Sequence, residues 1–389
     1  MWTLHILTSS MLGRSRTGTS NISTGAAPPS SSARTAGIVQ RLKSAVDLLL
    51  RDTAPPISPS RRGAGESPLI VDWTTFFGLK FSDLTKEPMA LCRVQCTYSS
   101  DRSLVDRADA VLFHVRDINL NSLPSVRYSF QRYIYFLMES PYHSGIAVSR
   151  LSKNFFNWTM TYRLDSDILV DYDRLIPKNA ADYPYTKNEY SWDNVTSVVM
   201  GKTKMVAQFV SNCHTPSKRE NYVERLAKSI SVDVYGSCST KACGRGKAEC
   251  NIMLTNDYLF YLAFENSVCL DYVTEKFWRM KTLIVPIVLR ASDYAEIAPN
   301  GSYIAADQFA SPKDLAAYLE RLANNRTEYL SYFEWTKDFW YSSYTQHYCD
   351  LCARLHDDSL PPKSYDNMEE WWMGKGNCQN DFAQKLLTS

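Results

Sequence analysis

From residue 205 onward the sequence alternates short apolar runs with helical patterns, and this constrains the fold more than any other feature. Met205–Val210 reads as a strand. Ser217-Lys218-Arg219-Glu220 has the spacing of a capping box, a hydroxyl three residues before a carboxylate. Tyr222, Val223, Leu226 and Ile230 then fall on one helical face. Val232–Tyr235 reads as a second strand, and Phe260–Phe264 and Ile284–Leu289 are apolar runs too short for helices that read as further strands. Thr274–Met280 begins a helix, and Ser311-Pro312-Lys313-Asp314 begins another, with Pro at the first helical position. Strands separated by helices imply a parallel sheet covered on both faces. Such sheets take their ligands beyond the carboxyl ends of the strands.

The first half carries a weaker version of the pattern. Leu69–Trp73, Ala110–His114 and Tyr133–Leu137 read as buried strands. Residues 166–200 are polar and Tyr-rich and read as the crossing between two halves, and Trp335–Tyr348 is expected to be helical. Residues 1–65 are rich in Ser, Thr, Gly, Pro and Ala and are expected to form a disordered stem, with a short amphipathic helix over Ile38–Leu50. That segment has eight Lys/Arg against two Asp/Glu, whereas the rest has 35 against 39. The net charge of +2 therefore sits in the leader, and nothing in the body pulls toward nucleic acid.

Ten cysteines and five Asn-X-Ser/Thr triplets, at Asn21, Asn157, Asn194, Asn300 and Asn325, point to an oxidising secretory compartment. Cys92-X3-Cys96 and Cys349-X2-Cys352 fit either a four-cysteine zinc site or two disulfides, and either ties the start of the body to its end. No apolar run is long enough for a transmembrane helix, and Met1–Gly13 is a poor signal peptide.

The densest polar cluster is Phe264-Glu265-Asn266-Ser267 with Asp271-Tyr272-Val273-Thr274-Glu275-Lys276, running from a strand end into a helix start. Backbone N–H groups there favour an anion, and Lys276 adds a full charge. Arg219 begins the helix after another strand. If both strands share a sheet, Arg219 and Lys276 converge on one edge, an arrangement suited to a diphosphate. The chain has no Walker-type phosphate loop, and Gly244-Arg245-Gly246-Lys247 reads as a turn. Asp165-Ser166-Asp167 has the form of a divalent-metal triplet but lies far from the Arg/Lys cluster in sequence.

Tyr261-Leu262-Ala263-Phe264-Glu265-Asn266-Ser267 followed by Asp271-Tyr272-Val273-Thr274-Glu275-Lys276 resembles the signature of the α1,3-fucosyltransferases, glycosyltransferase family 10. The resemblance spans roughly residues 68–352 and takes in Met138-Glu139-Ser140-Pro141, Phe156–Met160, Tyr162-Arg163, Val234-Tyr235-Gly236 and Ser302-Tyr303-Ile304. Cys349, Cys352 and Trp371-Trp372 look most like invertebrate members of the core-fucosylating type.

The resemblance implies an α/β fold of the GT-B kind, with two Rossmann-like domains facing a cleft. The implied division is a stem over 1–65, an acceptor domain over 66–190, a GDP-fucose domain over 191–345, and a tail over 346–389 packing back on the first domain. It implies an inverting transfer of L-fucose from GDP-β-L-fucose to O3 of a GlcNAc on N-glycans of glycoproteins, the core Asn-linked GlcNAc being favoured. An outer-antenna, Lewis-type acceptor is the alternative, and a silent glycan-binding protein on the same fold is another. Glu139 would be the general base. Arg219 and Lys276 would hold the diphosphate, and Asn266, Tyr272 and Glu275 the ribose, guanine or fucose. His114 and Arg116 would face the acceptor, in a segment where Val115 replaces the family's second His. Cys92 and Cys96 would pair with Cys349 and Cys352, and Asn157, Asn194, Asn300 and Asn325 would be glycan acceptors. No metal or other cofactor is expected to be required, with stimulation by Mn2+ or Mg2+ left open. A Golgi lumenal location at the membrane is expected, although no anchor is visible in the sequence.

Overall fold

The computed structural model describes residue 63 and residues 65–388, except 146–147, 181–187, 242–247 and 342–346. The helix expected over Ile38–Leu50, the Asn21 triplet and the turn at 244–247 lie outside the described residues, as does nearly all of the expected stem.

Two parallel sheets organise the chain. In the first half, Leu69–Asp72 (β1), Thr97–Ser99 (β2), Ala110–His114 (β3), Arg132–Leu137 (β4), Trp158–Thr161 (β5) and Ile168–Leu169 (β6) pair in the order β2-β1-β3-β4-β5-β6. Leu175–Pro177 (β7) belongs to a separate pair described below. In the second half, Lys204–Phe209 (β8), Val232–Tyr235 (β9), Tyr258–Leu262 (β10), Val285–Val288 (β11) and Ile304–Ala305 (β12) pair in the order β12-β11-β10-β8-β9. Every pairing in both sheets is parallel. The second sheet therefore has the doubly wound order 2-1-3-4-5 and the first the same order extended by a sixth strand, and each opens a crevice where the winding reverses. The reversals fall between β1 and β3 and between β8 and β10.

The strands form where apolar residues are buried on both sides. Along β4, Ile134 and Phe136 join one core cluster and Tyr133, Tyr135 and Leu137 the other, as the two-residue period of a strand requires. A strand covered on both faces reads as a continuous apolar run, which is why β3 and β4 were legible. β10 starts two residues before the expected Phe260, because Tyr258 and Leu259 are also fully buried.

Among the described residues, ten helices flank these sheets. Two short ones, Phe81–Leu84 (α1) and Lys86–Ala90 (α2), lie in the first half. The second half has Trp192–Gly201 (α3), Arg219–Leu226 (α4), Ala248–Asp257 (α5), Glu275–Trp278 (α6), Pro312–Asn324 (α7) and Arg326–Ser331 (α8). His347–Leu355 (α9) and Phe382–Lys385 (α10) belong to the tail. Tyr222, Val223, Leu226 and Ile230 pack into the core as their spacing implies. Ser311 caps α7 by accepting the Asp314 N–H at 3.2 Å. The capping box at Ser217 does not form. The N-cap of α4 is Lys218, in the left-handed region, and the Ser217 hydroxyl is drawn off to the Glu265 carbonyl at 2.8 Å. Glu220 instead accepts from the Thr215 amide and hydroxyl.

Trp335–Tyr348 is not one helix. Phe339–Tyr341 (β13) pairs antiparallel with β7, placing a two-stranded link beside the crossing. Cys92–Cys349 and Cys96–Cys352 are disulfides, fixing α9 to the first half. Trp371 and Trp372 bury themselves beside Tyr135 and Tyr162. Beyond them the tail departs from expectation and crosses to the second half. Cys378 bonds to Cys269, the Ala383 amide donates to the Ser217 carbonyl at 2.9 Å, and Ala383 enters the core under α4. The tail thus packs on both halves, because its last apolar residues find their cover on the second.

A candidate active site where the two sheets face each other

The strand ends of the two halves meet at one place. Glu139 follows β4, and the segment 264–276 follows β10. A hydrogen bond joins them, from Ser140 Oγ to Ser267 Oγ at 2.8 Å. Both serines are buried.

Glu139 is 6% exposed, and its carboxyl takes no hydrogen bond from any described residue. Burial pushes it above the ordinary carboxylate range, Lys276 and Arg116 pull it back, and Glu275 adds to the rise. A carboxylate with a raised pKa and no fixed partner is suited to taking a proton from something else. The residues on either side of it are held. Tyr172 Oη donates to the Met138 carbonyl at 2.6 Å, and His143 Nδ1 lies 2.9 Å from Ser140 Oγ.

The cationic side is built from Arg219 and Lys276. Arg219 is 3% exposed. Its Nη1 donates to the Phe264 carbonyl at 2.6 Å and its Nη2 to the Asn212 carbonyl at 3.3 Å. Burial lowers its pKa, with Glu265 opposing. Lys276 Nζ donates to Thr274 Oγ1 at 2.7 Å and lies 3.0 Å from Glu265 and 3.1 Å from Glu275. Glu265 accepts the Thr274 amide and hydroxyl, both at 2.8 Å, and burial raises its pKa against Lys276. Glu275 is pulled the other way: burial would raise it, but Lys276 and Arg279 hold it below the ordinary range. The two cations do converge, as the strand-and-helix reading required. Both touch the same strand-end loop, and both flank the β8/β10 reversal where a doubly wound sheet binds its ligand.

Two buried polar atoms here have no partner among the described residues: Arg219 Nε and Asn266 Oδ1. Such atoms cost free energy unless a ligand completes them. A cavity of 240 Å³ beside Arg219 is lined by Gln208, Val210, Asn212 and Val234, with Cys213 and Cys238 joined by a disulfide. Gly236, packed against the lining residue Val210, has φ +108, and a Cβ there would lie 2.3 Å from the Val210 carbonyl oxygen. Only glycine fits that turn.

Tyr272 is buried against Tyr162, with ring centroids 4.9 Å apart, on the boundary between the halves. His114 is fully buried, with Nδ1 2.9 Å from Asp117 and Nε2 unpartnered. Phe76, Phe77 and Phe136 surround its ring, so it has no surface to offer an acceptor directly. Arg116 is exposed, rests over the Phe77 ring at 5.3 Å, and reaches Glu139 through its charge.

The aspartate triplet is taken up in structure. Asp165 forms an ion pair with Arg163 at 2.6 Å. Asp167 is bonded by the Thr159 amide, the Tyr365 hydroxyl, Lys363 and Arg354. The zinc reading of the cysteines fails for a chemical reason: all four sulfurs are in disulfides, so no thiolate remains to bind a metal. The same holds for Cys96, Cys352 and His356, which lie close together. Asn157 must be withdrawn as a glycan acceptor. Its Oδ1 accepts from the Tyr133 amide at 2.8 Å and Arg127 at 2.6 Å, and its Nδ2 donates to the Lys363 carbonyl at 2.9 Å. A glycan on that nitrogen would break this buried set. Asn194, Asn300 and Asn325 are exposed.

Residues 65–173 match the N-terminal fucosyltransferase family model, and residues 199–371 match the C-terminal model of glycosyltransferase family 10 (fucosyltransferase). Alpha-(1,3)-fucosyltransferase C of Drosophila melanogaster is 39% identical over 339 residues, covering 80% of this chain and 79% of that protein. The chain belongs to glycosyltransferase family 10, the fucosyltransferases. Glycoprotein 3-alpha-L-fucosyltransferase A of Drosophila melanogaster is 38% identical, covering 74% of this chain and 57% of that protein. The human 4-galactosyl-N-acetylglucosaminide 3-alpha-L-fucosyltransferase FUT6 is 37% identical, covering 75% and 80%. This fucosyltransferase is therefore a glycosyltransferase of the α1,3 class. Insect and human relatives match it almost equally, so the invertebrate subtype is not distinguished. Several residues that build its site were not singled out from sequence: Ser140, His143, Tyr172 and Ser267. The two serines 140 and 267 lay inside the motifs already quoted, but their pairing across 127 residues has no local signal.

Proposed function

We propose that this enzyme transfers L-fucose from GDP-β-L-fucose to O3 of a GlcNAc on N-glycans, with inversion at the fucose carbon. The observation that carries the mechanism is a buried, unheld carboxyl, Glu139, facing the charge of Lys276, which shares the 264–265 loop with Arg219. Glu139 takes the proton from the acceptor hydroxyl. That oxygen attacks fucose C1 as the bond from C1 to the phosphate oxygen breaks. The bonding electrons leave with GDP, and the negative charge grows on the diphosphate beside Arg219 and Lys276. Fixed cations in a water-poor cleft stabilise that charge without reorganising. The unpartnered Arg219 Nε and Asn266 Oδ1 are the groups a donor would complete. Lys276 has three donors, and Thr274, Glu265 and Glu275 engage them all. A diphosphate therefore displaces exposed Glu275, freeing its carboxylate for donor hydroxyls. Tyr272 lines the boundary, Arg116 meets the acceptor, and His114 positions that segment from beneath.

No cofactor is needed in this reading, because two cations occupy the role of a metal at the diphosphate. The core Asn-linked GlcNAc remains the leading acceptor. The name of the fly glycoprotein enzyme favours a glycoprotein glycan, and that of the human relative favours a galactosylated GlcNAc. Disulfides and exposed sequons support a Golgi lumenal site of action. No helix among the described residues is long and apolar enough to cross a membrane. The test is GDP release from GDP-fucose with core and antennal N-glycan acceptors, EDTA present throughout. Core-dependent release is expected. Release only with a galactosylated antenna would move the acceptor outward, and release only on adding Mn2+ would overturn the metal-free mechanism.

A further inference from the structure

Glu139 has nothing holding its own carboxyl among the described residues, yet a general base must sit within hydrogen-bond reach of the hydroxyl it deprotonates. Its position is set by its neighbours. On one side, Tyr172 fixes the Met138 carbonyl. Tyr172 packs into three of the four core clusters, so it is anchored to both halves. On the other side, Ser140 Oγ meets Ser267 Oγ at 2.8 Å and His143 Nδ1 at 2.9 Å. Ser140 is 0% and Ser267 1% exposed, so water does not compete for this contact.

The two serines belong to opposite halves. Ser140 follows the base directly. Ser267 follows Asn266, whose Oδ1 awaits a partner, and lies two residues after Glu265, which bonds the Thr274 amide at the start of α6. Anything that moves the donor loop moves Ser267, and Ser267 pulls on the residue next to the base. The hydroxyl of Ser140 has one hydrogen, so when it is given to Ser267 the His143 Nδ1 must supply its own to Ser140. Burial lowers the pKa of His143, with Arg116 and Lys276 adding to the fall, which keeps the ring neutral in this role.

We infer that the Ser140–Ser267 hydrogen bond, backed by His143, is an inter-domain latch that fixes Glu139 relative to the bound donor. Ser140, Ser267 and His143 are positioning residues and take no part in the bond changes. The inference rests on Glu139 as the base. A misplaced base lowers the chemical step and leaves donor affinity intact, and displacements of about 1 Å cost up to roughly 100-fold in rate.

The test compares S140A, S267A, the double variant S140A/S267A and S267T, all as full-length enzyme, with E139Q as reference. The expected result is a kcat lowered about tenfold or more in each alanine variant, with GDP affinity and the KM for GDP-fucose within about twofold of wild type. The double variant should be no slower than S140A, which already removes the Ser267 contact together with the one to His143. S267T keeps the hydroxyl and should recover most of the rate. A wild-type kcat in S267A or S140A overturns the latch. So does an additive loss in the double variant, or equal losses in S267A and S267T. If S267A fails to fold, S140A removes the same bond from the other side and decides alone. If E139Q turns over normally, the base assignment falls, whatever the serine variants do.

Discussion

Replacing Lys276 by Met isolates the charge in the cationic pair, since the two side chains are of similar length. In the free enzyme Nζ lies 3.0 Å from Glu265 and 3.1 Å from Glu275 and donates to Thr274 at 2.7 Å. The Lys276 side chain is 16% and that of Glu265 5% exposed, which makes this a buried pair. Removing one partner of such a pair costs about 3–5 kcal/mol. Glu265 softens that loss. Burial already raises its pKa and losing Lys276 raises it further, so it gains a proton more easily in the variant, and Thr274 still bonds it. Stability should therefore fall toward the lower end, about 3 kcal/mol. The effect on ligand is separate. A charge-assisted hydrogen bond to a phosphate is worth about 1.5–3 kcal/mol, or roughly 10- to 150-fold in affinity. Calorimetric titration with GDP, alongside thermal unfolding, reads both quantities. Guanosine, which lacks the phosphates, should bind the variant as it binds wild type. A folded K276M protein with unchanged GDP affinity would refute the role given to Lys276.

Two other outcomes follow from single contacts. Arg116 holds the Glu139 carboxyl down against burial, so Arg116→Gln should raise its pKa further. Because the base works as the carboxylate, activity falls as pH drops through that pKa. The acid limb of the pH–kcat/KM profile should accordingly move to higher pH, and a limb that stays put or moves lower contradicts the assignment. Asn157 should carry no glycan, and N157A should lose about 3 kcal/mol of stability by leaving the buried Tyr133 amide without an acceptor and taking one of the bonds of Arg127. Glycopeptide mapping and thermal unfolding check the two halves of that statement.

The parts of the fold legible in sequence were those whose signal is local. β3 begins and ends where its apolar run does, since a strand buried on both faces leaves no polar break within it, whereas β9 is a half-buried edge strand with Asp233 inside it. β5, Trp158–Thr161, was quoted as part of a motif but not read as a strand, because two threonines interrupt it. Both are fully buried, and Thr159 and Thr161 satisfy their hydroxyls on Asp167 and Ser166. Within Trp335–Tyr348 the observed strand is the aromatic run Phe339–Tyr341, a composition that favours strands, but its pairing with β7 depends on a partner far earlier in the chain. At the site, Arg219 and Lys276 could be brought together by a topological rule from the sequence alone. The capping box failed where a tertiary hydrogen bond prevailed over the local one, as Ser217 turned to Glu265. Cys213–Cys238 and Cys269–Cys378 gave no sequence cue, because cysteine spacing does not reveal connectivity.

Glu139 is the residue on which the mechanism turns. The most direct measurement is acceptor-dependent turnover of GDP-fucose by Glu139→Gln, with GDP affinity taken on the same preparation. Gln keeps the size and burial of the side chain but cannot accept the proton. General base catalysis contributes about 100- to 10,000-fold, so turnover should drop by that range while GDP binds as in wild type. Turnover equal to wild type in a variant that binds GDP normally would place the base elsewhere and contradict the mechanism.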